Sequence, residues 1–147
     1  MSLLKSIEDA LVPDYYHFSS DSFDSFDLCL VKPKSNSKYV LIAKRVRGQL
    51  DVHSEIKTAR AEIRKTMGAL WLLKEVGAYI VFVVDKLPEI GPDDIPIDRT
   101  GFHAVIIQGI HFVSENREHL FNHSKWLDHS FGNTVGIAKR IQGLSSQ

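Results

Sequence analysis

Residues 26–85 read FDLCLVKPKSNSKYVLIAKRVRGQLDVHSEIKTARAEIRKTMGALWLLKEVGAYIVFVVD. Two short apolar runs, FDLCLV and KYVLIAKRV, precede a long charged amphipathic segment and the apolar run AYIVFVVD. The plainest reading is strand, strand, long helix and buried strand. From Phe26 the period is two, which puts Asp27, Cys29 and Val31 on one strand face and Leu28 and Leu30 on the other. Residues 32–38 (KPKSNSK) form a polar turn that makes the two runs a hairpin. Residues 39–46 are apolar on both sides, as in a strand whose sheet is covered on both faces. Over residues 53–76 there is no proline. Ile56, Ala59, Ile63, Met67 and Leu70 recur at three and four, on one stripe of a helix capped by Ser54 and ended at Gly77. A strand at 78–84, reached through that crossover helix, is expected to run parallel to an earlier strand.

Before this block, Leu3, Leu4, Ile7, Ala10 and Leu11 have helical spacing behind Ser2 as N-cap, and Pro13 ends the helix. Tyr15, Tyr16 and Phe18 favour a short strand. After the block, residues 86–101 are irregular, with Pro88, Pro92 and Pro96 interleaved with Glu89, Asp93, Asp94 and Asp98. Residues 102–113 read as one strand or as two broken near Gly109. Helical spacing returns over 114–129 with Leu120, Phe121 and Leu127, and a last helix is expected over 133–141. No repeat or second domain interrupts the 147 residues, so one α/β domain is expected, a mixed sheet flanked by helices.

Composition narrows the function classes. Eighteen basic residues balance eighteen acidic ones, so no global positive field draws the chain to nucleic acid, and such binding would need a local patch. The one cysteine, Cys29, lies in an apolar run and has no internal partner, which fits a reducing compartment. Residues 1–12 do not resemble a signal peptide, and the longest uncharged apolar run is too short to span a bilayer. A cytoplasmic protein without membrane contact is expected.

Two clusters invite a chemical reading. Lys57, Arg60 and Arg64 share one side of the long helix with Ala61 and Gly68, while Glu55 and Glu62 lie on another. That basic strip is either a solvated face or a contact for a phosphate backbone. His119 and His123, four apart on an expected helix, would share a face, but they lack a third ligand and the glutamate of a metalloprotease motif, so a surface pair is favoured. His103 and His111 are expected to make ordinary hydrogen bonds. The acidic loop shows no calcium-ligand spacing. Glycine-rich phosphate loops, nucleophile elbows and paired-cysteine zinc motifs are absent from the sequence.

The hairpin, long helix and apolar strand over about residues 15–85 resemble the core of the PD-(D/E)XK nuclease superfamily, and within it the archaeal Holliday-junction resolvases. In that family an aspartate starts one strand, a Glu-x-Lys sits on its hairpin partner, and a long helix leads to an apolar strand. Asp27 matches the aspartate and Lys44 the lysine, whereas Ile42 stands at the glutamate position. The resemblance implies a restriction-endonuclease-like sheet and, if activity survives, Mg²⁺ held in part by Asp27, with Lys44 at the attacking water. A displaced carboxylate would then be supplied by Glu55, Glu62 or Asp24. The resemblance also implies a homodimer.

Three readings stay open on the sequence alone. The first is a nuclease-like scaffold without catalysis that binds nucleic acid or a protein partner, with no cofactor required. The second is a Mg²⁺-dependent DNA endonuclease using Asp27, Lys44 and a displaced carboxylate. The third is an unrelated α/β domain that oligomerises through Trp71, Trp126 or the proline-rich loop.

Overall fold

The computed structural model describes residues 3–11, 16–17, 26–34, 37–49, 51–70, 75–95, 97, 105–123, 139 and 141–143. The elements are α1 (Leu3–Leu11), β1 (Tyr16–His17), β2 (Leu28–Lys34), β3 (Ser37–Val46), α2 (Val52–Leu70), β4 (Glu75–Val84), β5 (Val105–Ser114) and β6 (His119–His123). Among the described residues six strands form one sheet in the order β1-β2-β3-β4-β5-β6. The pairs β1–β2, β2–β3 and β5–β6 are antiparallel, and β3–β4 and β4–β5 are parallel. The mixed α/β sheet and the parallel partner expected for residues 78–84 are both present.

Alternation along the strands builds two cores. On one face Cys29, Val40, Ile42, Ala78, Ile80, Phe82, Ile110 and Phe112 pack against Ile56, Ala59 and Ile63 of α2. On the other, Leu28, Leu30, Leu41, Ala43, Tyr79, Val81 and Val83 pack with Leu3 and Ile7 of α1 and with Ile141. Val40, Leu41, Ile42 and Ala43 are all buried, as a strand covered on both sides requires. Burial of each large aliphatic side chain there contributes about 1.5–3 kcal/mol before ordering costs.

Several boundaries differ from the sequence reading. The polar turn is shorter than KPKSNSK, because β2 continues to Lys34 and β3 starts at Ser37. Helix α2 ends by Leu70, and Gly77 is a strand residue inside β4 rather than a helix cap. Its N-cap is Asp51, whose Oδ1 accepts the Ser54 N–H at 3.1 Å, and not Ser54. Residues 105–114 are one strand, and the break sensed near Gly109 is a register shift against Ala78/Tyr79 that moves the apolar alternation from Ile107 to Ile110. Over 114–123 the helical spacing gives way to a tight turn and β6, because pairing with β5 decides the conformation there, and residues 124–129 lie outside the described residues. Ser2, Asp24, His103, Trp71, Trp126 and most of the expected helix at 133–141 lie outside the described residues.

The irregular segment after β4 is not a detached loop. Ile95 is buried, Leu87, Ile90 and Ile97 pack on the α2-side core, and Asn122 Nδ2 donates to the Ile95 carbonyl at 2.9 Å. A 3-10 turn at Pro92–Asp94 carries the chain across it.

Candidate functional site

The three parallel strands β3, β4 and β5 end together at Val46, Val84 and Ser114, and open α/β sheets present their binding groups beyond such carboxyl ends. Here that rim carries Asp27, Lys44 and Glu55 from among the charges singled out in the sequence. Asp27 precedes β2, one residue before the Leu28–Ala43 pair, which sets it opposite Lys44. Its N–H donates to the Ala43 carbonyl at 2.9 Å, and its Oδ2 accepts the Arg45 N–H at 2.7 Å. The carboxylate is thus fixed by the hairpin partner while remaining exposed.

Lys44 follows the alternation of Ile42 and Val46 onto the α2 side of the sheet, the side that Asp27 shares with Cys29. Its Nζ lies 3.0 Å from Glu55 Oε2, on the first turn of α2, and the two side chains are 25% and 23% exposed. The structure therefore brings Lys44 and Glu55 together, and the strand register sets Asp27 opposite Lys44. Glu62 is not part of this contact: seven residues along α2, it sits about 10 Å further down the axis. Ile42 is fully buried among the α2-facing core residues, two positions and about 7 Å inward along β3 from Lys44.

Gly48 makes this arrangement possible. With φ at 77° it turns the chain after β3 in a conformation that costs other residues, and its N–H donates to Asp85 Oδ2 at 3.0 Å at the end of β4. The turn starts α2 directly above the rim, which is what delivers Glu55 to Lys44. A second ion pair, Arg45–Glu115, joins β3 to the residue after β5 across the end of β4. Arg45 and Glu115 escaped sequence reasoning because nothing local announces a partner 70 residues away.

On the other flank of α2, Lys57 is exposed and Arg60 half-buried, and Arg64 continues the same helical edge with its side chain outside the described residues. His53 begins that edge and opens onto a cleft of about 770 Å³ lined by Gln49, Asp51, Val52, His53, Ile90 and Asp94. Asp94 of the acidic segment thus lines the same cleft as His53 and Asp51 at the start of the helix.

His119 lies on β6 and not on a helix, and His123 ends the same strand. The side chain of His123 lies outside the described residues. His119 Nδ1 is 2.8 Å from Nε2 of the buried His111, whose Nδ1 is 3.1 Å from the Tyr79 hydroxyl. Burial and the nearby Arg117 hold His119 below the ordinary imidazole range. Burial pushes the Cys29 thiol up to about 12, so it is an inert core group. Among the described residues no group of three or more His, Cys, Asp and Glu side chains converges on a metal position. Mg²⁺ keeps several waters and takes one or two protein carboxylates with substrate phosphate oxygens, so Asp27 and Glu55 are the residues that would hold one here.

No helix among the described residues is long and apolar enough to cross a membrane. Comparison with protein-family models, with curated proteins and with solved structures finds no match to this chain.

Proposed function

We propose that this chain is a nuclease-like α/β domain that hydrolyses DNA phosphodiesters in a Mg²⁺-dependent manner, with Glu55 of α2 in place of the glutamate missing at position 42. The observation that carries the reading is the 3.0 Å contact of Lys44 with Glu55 on the sheet face where Asp27 precedes β2. The order helix, three antiparallel strands, crossover helix and parallel strand supports the same reading. A bound Mg²⁺ would supply charge neutralisation at the phosphate and acidify water. Asp27 and Glu55 would hold it through the carboxylate oxygens not engaged by the Arg45 N–H and by Lys44. Lys44 would exchange its contact with Glu55 for the attacking water or a phosphate oxygen, a donor ammonium placed where negative charge develops. Arg45 holds Asp27 through its backbone, and Glu115 holds Arg45. The basic edge from His53 to Arg64 starts on the same first turn of α2 and offers a path for the phosphate backbone. The single buried thiol fits a cytoplasmic location, and a homodimer is part of the reading by resemblance alone.

The test is cleavage of plasmid and branched DNA by purified protein in Mg²⁺ or Mn²⁺, with Asp27→Ala, Lys44→Ala and Glu55→Gln in parallel. Loss of cleavage in all three supports the reading. Cleavage that survives Glu55→Gln overturns the relocation. A second reading, a scaffold that binds nucleic acid without cutting it, is favoured by the full burial of Ile42: no cleavage by any folded preparation, with DNA binding weakened by Lys57→Ala and Arg60→Ala, is its signature.

A further inference from the structure

On the sheet face opposite the rim carboxylates, a chain of polar groups runs from the middle of the sheet to its edge. Tyr79 of β4 is 2% exposed, and His111 of β5 is fully buried. The tyrosine hydroxyl meets His111 Nδ1 at 3.1 Å, and His111 Nε2 meets His119 Nδ1 at 2.8 Å. The His111 ring is stacked on Phe121, its cross-strand partner on β6, with centroids 5.0 Å apart and planes within 11°. His119 meets it edge-on at 5.0 Å. The wider face is apolar, with Leu3 and Ile7 from α1, Ile141, and Val81, Val83 and Val113 from the strands. Arg117, in the β5–β6 turn, is a charged group that acts on His119.

Buried polar groups hold their positions only if every donor faces an acceptor. With Tyr79 donating to His111 Nδ1, the His111 proton sits on Nε2 and donates to His119 Nδ1, and all three groups are satisfied while both imidazoles are neutral. One added proton is accommodated by reversing the chain: His119 Nδ1 then donates to His111 Nε2, and His111 Nδ1–H faces the tyrosine oxygen. A second proton sets two cationic N–H groups against each other at hydrogen-bond distance in an apolar face, next to Arg117. Moving β6 away from β5 relieves that clash at least cost, because among the described residues β6 is the last strand in the sheet order.

We propose that Tyr79, His111 and His119 form a one-proton latch that holds β6 in register at neutral pH and releases it in acid. The latch also reaches the rim. The turn after β5 is closed by Ser114 N–H to Glu118 carbonyl, Glu118 N–H to Ser114 Oγ and Arg117 N–H to Ser114 carbonyl bonds, and Glu115 in that turn holds Arg45. Release of β6 therefore loosens the turn that holds Glu115 against the Arg45 guanidinium. The latch does not depend on the rim being a nuclease site.

The test is amide hydrogen exchange of β6, corrected for intrinsic rates, between pH 7.5 and pH 5, together with imidazole titrations by NMR. Protection of residues 119–123 is expected to fall at least tenfold more than that of β3 and β4, tenfold being one unit of pKa difference. In His119→Gln, whose amide accepts and donates without titrating, that difference disappears. Two imidazoles that titrate independently near the ordinary value of about 6.5 overturn the proposal. So does β6 protection that is flat with pH, or that falls equally in His119→Gln. If His119→Gln fails to fold, the wild-type titrations decide: a second proton taken up well below the first supports the latch.

Discussion

The contact between Lys44 and Glu55 is open to a quantitative test, because a structural ion pair and a functional one make different demands on stability. At 3.0 Å, with about three quarters of each side chain covered, the pair lies between exposed and buried regimes. Exposed pairs couple by roughly 0.2–1 kcal/mol, and solvent still reaching both ends keeps this one near the top of that range, at about 1 kcal/mol. The perturbation is a double-mutant cycle of Glu55→Gln, Lys44→Met and the double variant, measured by urea denaturation. For a chain of this size, 1 kcal/mol moves the melting midpoint by about 2–4 °C. The coupling should shrink when salt is raised to about 1 M, where the screening length is about 3 Å. The same Glu55→Gln change, read as cleavage, should cost at least about 100-fold, equivalent to roughly 2.7 kcal/mol in the barrier. A large activity loss with a small stability loss marks a site. A stability loss above about 3 kcal/mol with cleavage unchanged would refute the argument, since Glu55 would then be a structural anchor.

Four further outcomes are expected. Ile42→Glu, which installs the residue of the resembled motif, places an unpaired carboxylate in a fully buried apolar position, so it should destabilise by several kcal/mol and yield no added cleavage, measured by thermal melts and nuclease assay. Asp51→Ala removes the cap of α2 and should cost about 1 kcal/mol in urea denaturation. Because the folded-state pKa of His119 lies below its unfolded value, its contribution to stability is fully present above pH about 6.5 and is lost as the pH falls from there towards the folded pKa, which urea midpoints at pH 8, 6.5 and 5 would show. Cys29 should resist thiol reagents at pH 8 in the native protein and react fully in denaturant, because its folded pKa is pushed up to about 12.

The fold was legible where a single face or period decides the matter. Residues 39–46 and 78–84 are apolar on both sides, and the stripe of Ile56, Ala59 and Ile63 fixes the crossover between them, so β3, α2, β4 and their parallel pairing could be read directly. Residues 114–129 misled, because Leu120, Phe121 and Leu127 have helical spacing while the conformation at 119–123 is set by hydrogen bonds to β5, a non-local partner. Gly77 misled for a related reason: a glycine after a helix reads as a cap, but here the parallel ladder with Tyr39 and Ile106 claims it. The rim was half legible. Asp27, Lys44 and Glu55 could be nominated by residue type and order, yet only the turn at Gly48 selects Glu55 over Glu62. Arg45–Glu115 and the Tyr79–His111–His119 chain depend on strand pairing, which no local pattern encodes.

The central claim, that Asp27 and Glu55 form one metal-binding pair beside Lys44, is tested most directly by electron paramagnetic resonance of Mn²⁺ titrated into the wild type, Asp27→Ala and Glu55→Gln in the presence of DNA. The account predicts a bound ion in the wild type and its loss in each variant while the fold, followed by circular dichroism, is retained. Mn²⁺ bound equally by all three proteins, or by none of them, would contradict it.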